Sequence, residues 1–205
     1  MVAVAAPSPT PTIGVLALQG GVSEHVALLS ELGARTRLIR SVKDLTGSDG
    51  LRVDALVLPG GESSVIDRLA RRFELEQPLR EAILAGLPTL GTCAGLIYLA
   101  ARIENPAPEQ QSLGVLDVTV DRNAFGPQKN SAEADLETPW GTVHAAFIRA
   151  PRVTAVGPDV QVAATLGEQV IAVTQKRITG IAFHPEITGD PTIHARLIRQ
   201  AAAQE

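Results

Sequence analysis

Apolar residues recur along the first half of this chain in short, nearly unbroken runs, each followed by a stretch with helical spacing. "IGVLALQG" (13–20) is the first run; closed by glycine, it suits a strand buried on both faces. "SEHVALLSELG" (23–33) predicts a helix with Ser23 as N-cap and Gly33 just past its end. "TRLIR" (36–40) and "VDALVLPGG" (53–61) predict two more strands. "SSVIDRLARRFELEQPLREAILAG" (63–86) reads as helix interrupted near Pro78, "PTLGTC" as a further strand and "AGLIYLA" as a further helix. Strand alternating with helix implies right-handed crossovers and a parallel sheet with helices on both faces.

The second half has a different pattern. "LGVLDVTV" (113–120), "AEADLET" (132–138), "GTVHAAFI" (141–148), "VQVAATLG" (160–167) and "QVIAVTQKR" (169–177) are short strand candidates separated by Gly, Pro and Asn. They alternate polar and apolar residues, as half-exposed strands do, and are expected as mixed or antiparallel additions to the sheet. "ITGIAFHPE" gives one more strand, and "PTIHARLIRQAAA" (191–203) a terminal amphipathic helix. The expected fold class is therefore α/β, with a mostly parallel central sheet and antiparallel additions in the C-terminal half. No internal repeat or linker divides the chain, so one domain is expected over 13–205. It follows a disordered Pro-rich tail at 1–12, "MVAVAAPSPTPT".

Composition narrows the picture. A chain of 205 residues can bury a substantial core, roughly 70% of the surface its unfolded form exposes. Apolar residues make up 45% and aromatics only 3%, so the core must be built from Val, Ile, Leu and Ala. The net charge is −4 and no basic run occurs, which argues against nucleic acid or an anionic membrane surface as partner. No apolar stretch approaches the roughly 18 residues of a membrane span. The tail lacks the positive flank of a signal peptide. The single cysteine excludes an internal disulfide and fits a reducing, cytoplasmic location.

That cysteine, Cys93, falls where a strand turns into a helix, inside "GTCAG". The sequence fits the small-x-nucleophile-x-small pattern of a nucleophile elbow. A sharp strand-to-helix turn lifts the side chain out of the carboxyl edge of the sheet, where ligands of open α/β folds sit. It also puts the thiol at a helix N-terminus, which favours thiolate. Ala94 then offers a backbone N–H to an oxyanion formed beside Cys93. A small buried hydrophobe is the other reading, since free Cys is among the most buried residue types.

A thiol nucleophile needs a base and usually an orienter. His25 and His194 fall in amphipathic helices and His144 in a strand, where structural or solvated roles are expected. His184 instead ends an apolar strand in "IAFHPE". Pro185 should hold it extended and keep a helix from forming, so that Glu186, two residues on, lies beside its imidazole. Gly60-Gly61, after the strand at 53–61, permits close backbone approach to a ligand, and Glu62 could meet an ammonium group. A simple βα turn with Ser63 as N-cap would read the same way. It is not a P-loop, because no Gly-Lys-Ser/Thr follows.

With these motifs placed, the sequence resembles the class I (triad) glutamine amidotransferases and, more closely, the glutaminase subunits of pyridoxal 5′-phosphate synthase. The likeness rests on "GVLALQGGVSEH", "LVLPGGESS", "PTLGTCAGLIYLA", "VDRNAFGPQ", "FIRAP" and "IAFHPE", in that order, over about 13–200. It implies a flavodoxin-like three-layer sandwich and hydrolysis of L-glutamine to glutamate and ammonia. It implies Cys93 as nucleophile, His184 as general base and acid, and Glu186 as orienter. Gly61, Glu62, Ser63, Arg122, Ile148 and Arg149 match substrate-binding positions, and the N–H groups of Gly61 and Ala94 an oxyanion hole. Many family members carry a basic residue after "FG", where this chain has Pro127; proline removes a donor there.

The resemblance implies no metal and no cofactor, and the chain shows no His/Cys/Asp cluster with ligand spacing. The chain lacks a site for sugar-phosphate chemistry, so the implied partner is a separate synthase subunit. In this family that subunit makes pyridoxal 5′-phosphate from ribose 5-phosphate and glyceraldehyde 3-phosphate. Three rivals share features. An α/β-hydrolase places its acid before its His, the reverse of the order here. A glutaminase serving another synthase, such as the imidazole-glycerol-phosphate one, would not be expected to carry "FIRAP" and "RNAFG". A catalytically silent regulatory module would not need Cys93, His184 and Glu186 intact.

Overall fold

The computed structural model describes residues 10–122 and 132–203. The start of the Pro-rich tail and Pro127 lie outside the described residues. The first half of the chain alternates as its apolar pattern predicts. β1 (Thr12–Leu16) leads into α1 (Val22–Glu31) and β2 (Arg35–Ile39). A short helix α2 (Val42–Leu45) and a two-stranded hairpin, β3 (Thr46–Gly47) and β4 (Gly50–Leu51), come next. β5 (Ala55–Leu58), α3 (Ser63–Arg72), α4 (Glu76–Leu84), β6 (Thr89–Thr92) and α5 (Ala94–Leu99) complete it. The second half holds β7 (Ala100–Glu104), β8 (Leu116–Asp121), β9 (Ala132–Thr138), β10 (Gly141–Phe147) and β11 (Arg152–Val156). After them come β12 (Gln161–Leu166), β13 (Gln169–Gln175), β14 (Ile178–Ile181), α6 (Pro185–Thr188) and α7 (Thr192–Ala202).

Ten strands form one sheet in the order β2-β1-β5-β6-β14-β13-β11-β8-β7, with β12 on β13. β2 through β14 are mutually parallel, β13 is antiparallel to β14, and β7 pairs parallel with β8. α1 and α7 pack together against β1, while α3, α4 and α5 form a second group, with α5 lying on β5, β6 and β14. The result is the expected α/β sandwich around a mostly parallel sheet. Its central parallel strands β5, β6 and β14 are buried at every residue, which is why they read as apolar runs. No helix among the described residues is long and apolar enough to cross a membrane.

Four local readings change. α1 starts at Val22 with Gly21 as N-cap, not Ser23, whose hydroxyl donates to Glu24. The start is set by tertiary contact: the Gly21 N–H donates to the Gly60 carbonyl at 3.0 Å, and a Cβ on Gly20 would lie 1.8 Å from that oxygen. The break in the 63–86 helix falls at Phe73–Leu75, and Pro78 sits in the first turn of α4, where its missing N–H is not needed. β9 and β10 pair only with each other and do not join the sheet. β7 and β11 are strands beyond those expected: "AARIE" follows α5 with neither Gly nor Pro to mark the change, whereas "RVTAV" carries a signal in its β-branched residues between Pro151 and Gly157.

The core is aliphatic, as the composition requires, and its two largest fully buried side chains are Tyr98 and Phe183. The Tyr98 hydroxyl is buried without a partner among the described residues, and an unsatisfied buried polar group costs on the order of 1–3 kcal/mol. Tyr98→Phe removes that group while keeping the ring, so thermal unfolding should show an unchanged or raised midpoint, with stability gained by up to ~1 kcal/mol. A clear fall would mean that the hydroxyl is paired.

Candidate active site

Cys93 sits between β6 and α5 with φ 48° and ψ −102°, outside the regions that residues with a Cβ ordinarily occupy. The backbone on either side pins it. Its N–H donates to the Ile181 carbonyl at 2.8 Å, and its carbonyl accepts from the Ile97 N–H at 3.2 Å. The flanking glycines have steric causes. A Cβ on Gly95 would come within 2.0 Å of the Leu58 carbonyl oxygen, and one on Gly91 within 2.8 Å of the Gly95 backbone. The small residues of "GTCAG" thus let α5 descend onto β5 and β6 directly behind the thiol.

His184 lies three residues past the end of β14, and its N–H donates to the Ala146 carbonyl of β10 at 2.9 Å. Glu186 reaches it by a different route from the one expected. Pro185 does not prevent a helix; it opens α6 as that helix's first residue, a position where no N–H is required. Glu186 therefore projects from a helical turn rather than an extended segment. Its Oε1 lies 2.7 Å from His184 Nδ1, and both side chains are nearly inaccessible. Burial pushes the His184 pKa down, but the Cys93 sulfur and the Glu186 carboxylate outweigh it and raise it to about 10. The imidazole is thus held in its charged form beside the thiol.

These three side chains open into one cavity of about 350 Å³. Gly61, Glu62, Ser63, Arg122, Ile148 and Arg149 line it too, so the predicted substrate-contact positions share one space with Cys93. Ala94 is buried as the first residue of α5 and does not line the cavity; only its backbone is relevant there. Glu62, not Ser63, caps α3: its carboxylate accepts from the Ser64 N–H at 3.3 Å and pairs with the Arg122 guanidinium. Partial burial acts to raise the Glu62 pKa, but the Ser64 N–H and Arg122 overcome it and hold the carboxyl below its usual range. Ser63 is buried, and its hydroxyl accepts from Gln110. Ile148 and Arg149 lie at the rim, with the Ile148 carbonyl 4.0 Å from Cys93 Sγ and Arg149 in a left-handed conformation, φ 47°.

Several residues at the site were not singled out from the sequence. Gln19 accepts from the Glu62 N–H at 2.7 Å and so fixes the loop after β5. His25 and His194, expected in structural or solvated roles, are fully buried behind Glu186 and touch each other at 2.8 Å. His25 shares the buried face of α1 with Leu28 and Leu29, and that spacing was the available signal. His144 is exposed, between Asp135 and Glu133, which raise its pKa. Among the described residues no group of three or more His, Cys, Asp and Glu side chains is placed to hold a metal.

The Gly60 loop gives a direct test of this geometry. A Cβ on Gly60 would lie 2.2 Å from His184 Cε1. Gly60→Ala must therefore displace the imidazole from Cys93. Turnover should fall by roughly 100-fold or more, the scale of a 1 Å misplacement of reacting groups, with a melting temperature close to wild type. Wild-type turnover in that variant would refute the contact.

A family model described as the SNO glutamine amidotransferase family matches residues 15–203. A Kineococcus radiotolerans protein named pyridoxal 5′-phosphate synthase subunit PdxT is 54% identical over 197 residues, which span 91% of this chain and 93% of that protein. A protein of the same name from Acidothermus cellulolyticus is 48% identical over 97% of both chains. A crystal structure of a glutamine amidotransferase, 43% identical, superposes with a TM-score of 0.85 and covers 92% of this chain and 98% of its own. The match runs from β1 through α7 and includes every side chain that lines the cavity around Cys93, so this chain belongs to the SNO glutamine amidotransferase family.

Proposed function

We infer that this chain is the glutaminase subunit of a pyridoxal 5′-phosphate synthase, hydrolysing L-glutamine to glutamate and handing the ammonia to a separate synthase subunit. The observation that carries the reading is the meeting of Cys93, His184 and Glu186 in a cavity that also holds Glu62 and Arg122. A small cavity in whose lining Glu62 and Arg122 are paired suits the two charged ends of a free amino acid. In this reading Glu62 receives the α-ammonium and Arg122 the α-carboxylate, while Ser63, Ile148 and Arg149 complete the pocket. The names of the relatives supply the partner, a synthase that makes pyridoxal 5′-phosphate.

The chemistry follows from the array. The Cys93 thiolate attacks the side-chain carbonyl carbon of glutamine, and the carbonyl electron pair moves onto oxygen. N–H groups of Gly61 and Ala94 stabilise that oxyanion, a contribution worth roughly 10²–10³ in rate per donor. The His184 imidazolium gives its proton to the departing nitrogen as the C–N bond breaks, leaving a thioester and ammonia. Neutral His184 then takes a proton from water, which adds to the thioester and releases glutamate and the Cys93 thiol. Glu186 keeps the imidazole in the reacting tautomer and offsets its charge. In this scheme residues 13–205 act as one glutamine amidotransferase domain.

Glutamate release from glutamine, measured with and without the synthase subunit, tests the reading. Cys93→Ala should lower it by a factor of at least roughly 10³, because a nucleophile has no substitute in the array, while complex formation persists. A residual rate above about a tenth of wild type would refute Cys93 as nucleophile. Glu186→Gln should lose less than His184→Ala, because an amide still accepts the Nδ1–H but cannot offset its charge. The reverse order would refute the orienting role.

A further inference from the structure

Behind the Cys93–His184–Glu186 array lie two histidines that the chemistry above does not use. His25 of α1 and His194 of α7 are both fully buried. His25 Nδ1 is 2.8 Å from His194 Nε2. His25 Nε2 faces Thr92 Oγ1 at 3.2 Å and Glu186 Oε1 at 3.4 Å. That same Oε1 is the atom bound to His184 Nδ1, whereas Oε2 is buried with no partner among the described residues.

Chemistry fixes where the protons sit. An ionised carboxylate only accepts, so a bare Nε2 would turn a lone pair toward it; the His25 proton therefore belongs on Nε2. That N–H is hydrogen-bonded to Thr92 Oγ1, and Glu186 Oε1 is its next neighbour, 3.4 Å from the same nitrogen. His25 Nδ1 is then a bare acceptor for the His194 Nε2–H. His194 Nδ1 is left without a proton, and it is the one nitrogen of the pair with no partner among the described residues. One assignment satisfies every contact. Burial and the neighbouring imidazoles keep His25 neutral, and burial keeps His194 neutral. The positive charge of the cluster stays on His184.

Two neutral imidazoles in an aliphatic core are poor packing material compared with leucine, so their contacts must account for them. The His184 Nδ1 contact at 2.7 Å and the His25 Nε2 approach at 3.4 Å meet at one carboxylate oxygen, while the other has no partner among the described residues. We propose that His25, oriented by His194, is a positioning residue that holds Glu186 Oε1 against His184 Nδ1. The proposal rests on the glutaminase reading above.

The test compares His25→Gln with His25→Asn in the complex with the synthase subunit. The glutamine amide reaches about as far as Nε2 and restores a donor to Glu186; the asparagine amide reaches only as far as Nδ1. His25→Asn should lose roughly 10- to 100-fold in kcat with KM nearly unchanged, the span expected for a hydrogen bond to a charged group. His25→Gln should stay within about threefold of wild type. Cys93 is the only thiol in the chain, so its alkylation by iodoacetamide reads the array without glutamine and should slow in the same order. Equal losses in the two variants, or a loss confined to KM, would overturn the proposal. Should both variants fail to fold, His194→Leu reads the contact from its far end: a severalfold fall in kcat and in alkylation supports it, and wild-type values overturn it. Wild-type protein that releases no glutamate would instead sink the glutaminase reading, while the alkylation series would still decide the role of His25.

Discussion

The hydrogen bond from the Cys93 N–H to the Ile181 carbonyl is the contact on which the site depends. It extends the parallel pairing of β6 and β14, in which Thr92 lies opposite Ile181. Parallel strands end at the same edge of a sheet, so a thiol at the end of one meets an imidazole just past the end of the other. The bond also holds Cys93 in a backbone conformation that costs on the order of 1–3 kcal/mol and persists only where the surroundings impose it. The Leu58 carbonyl against Gly95 imposes it from below, and the Ile97 N–H from the helix side.

Electrostatics in this small volume is divided among layers. His184 carries the charge because the Cys93 sulfur and Glu186 overcome its burial. His25 and His194, deeper still, are held below the usual imidazole range by burial, which outweighs the pull of Asp190 on His194. At the mouth, Glu62 and Arg122 neutralise one another. On the proposed function an incoming amino acid must open that pair and replace each partner with its own opposite charge. Binding and orientation are then one event, since a ligand lacking either charge leaves Glu62 or Arg122 with its partner displaced and nothing in return.

The sequence made the central parallel strands and the elbow legible because each rests on a local signal: continuous apolar runs for β1, β5 and β6, and small residues around Cys93. Other features depend on distant contacts. The start of α1 is set by Gly60, 39 residues beyond Gly21, and no capping pattern records it. "HPE" correctly paired His184 with Glu186, but by an extended backbone; the proline opens a helical turn instead. His25 and His194 looked like unremarkable members of amphipathic helices, since their meeting requires α1 and α7 to pack together. β9 and β10 alternate as sheet strands should, and alternation cannot say which sheet a strand joins.

That misplaced hairpin has its own logic. Standing outside the main sheet, β10 can reach the loop that carries His184. The Ala146 carbonyl accepts from the His184 N–H, the His144 carbonyl accepts from the Thr188 hydroxyl, and the His144 N–H donates to Asp190. Three contacts thus hold both ends of α6, on which Glu186 sits. The chain leaving β10 continues directly into Ile148 and Arg149 at the cavity rim. A strand inserted into the main sheet would have given its hydrogen bonds to neighbouring strands and left residues 184–190 with fewer partners. By pairing only with β9, β10 keeps its far edge free to fix His184, Glu186 and the rim together.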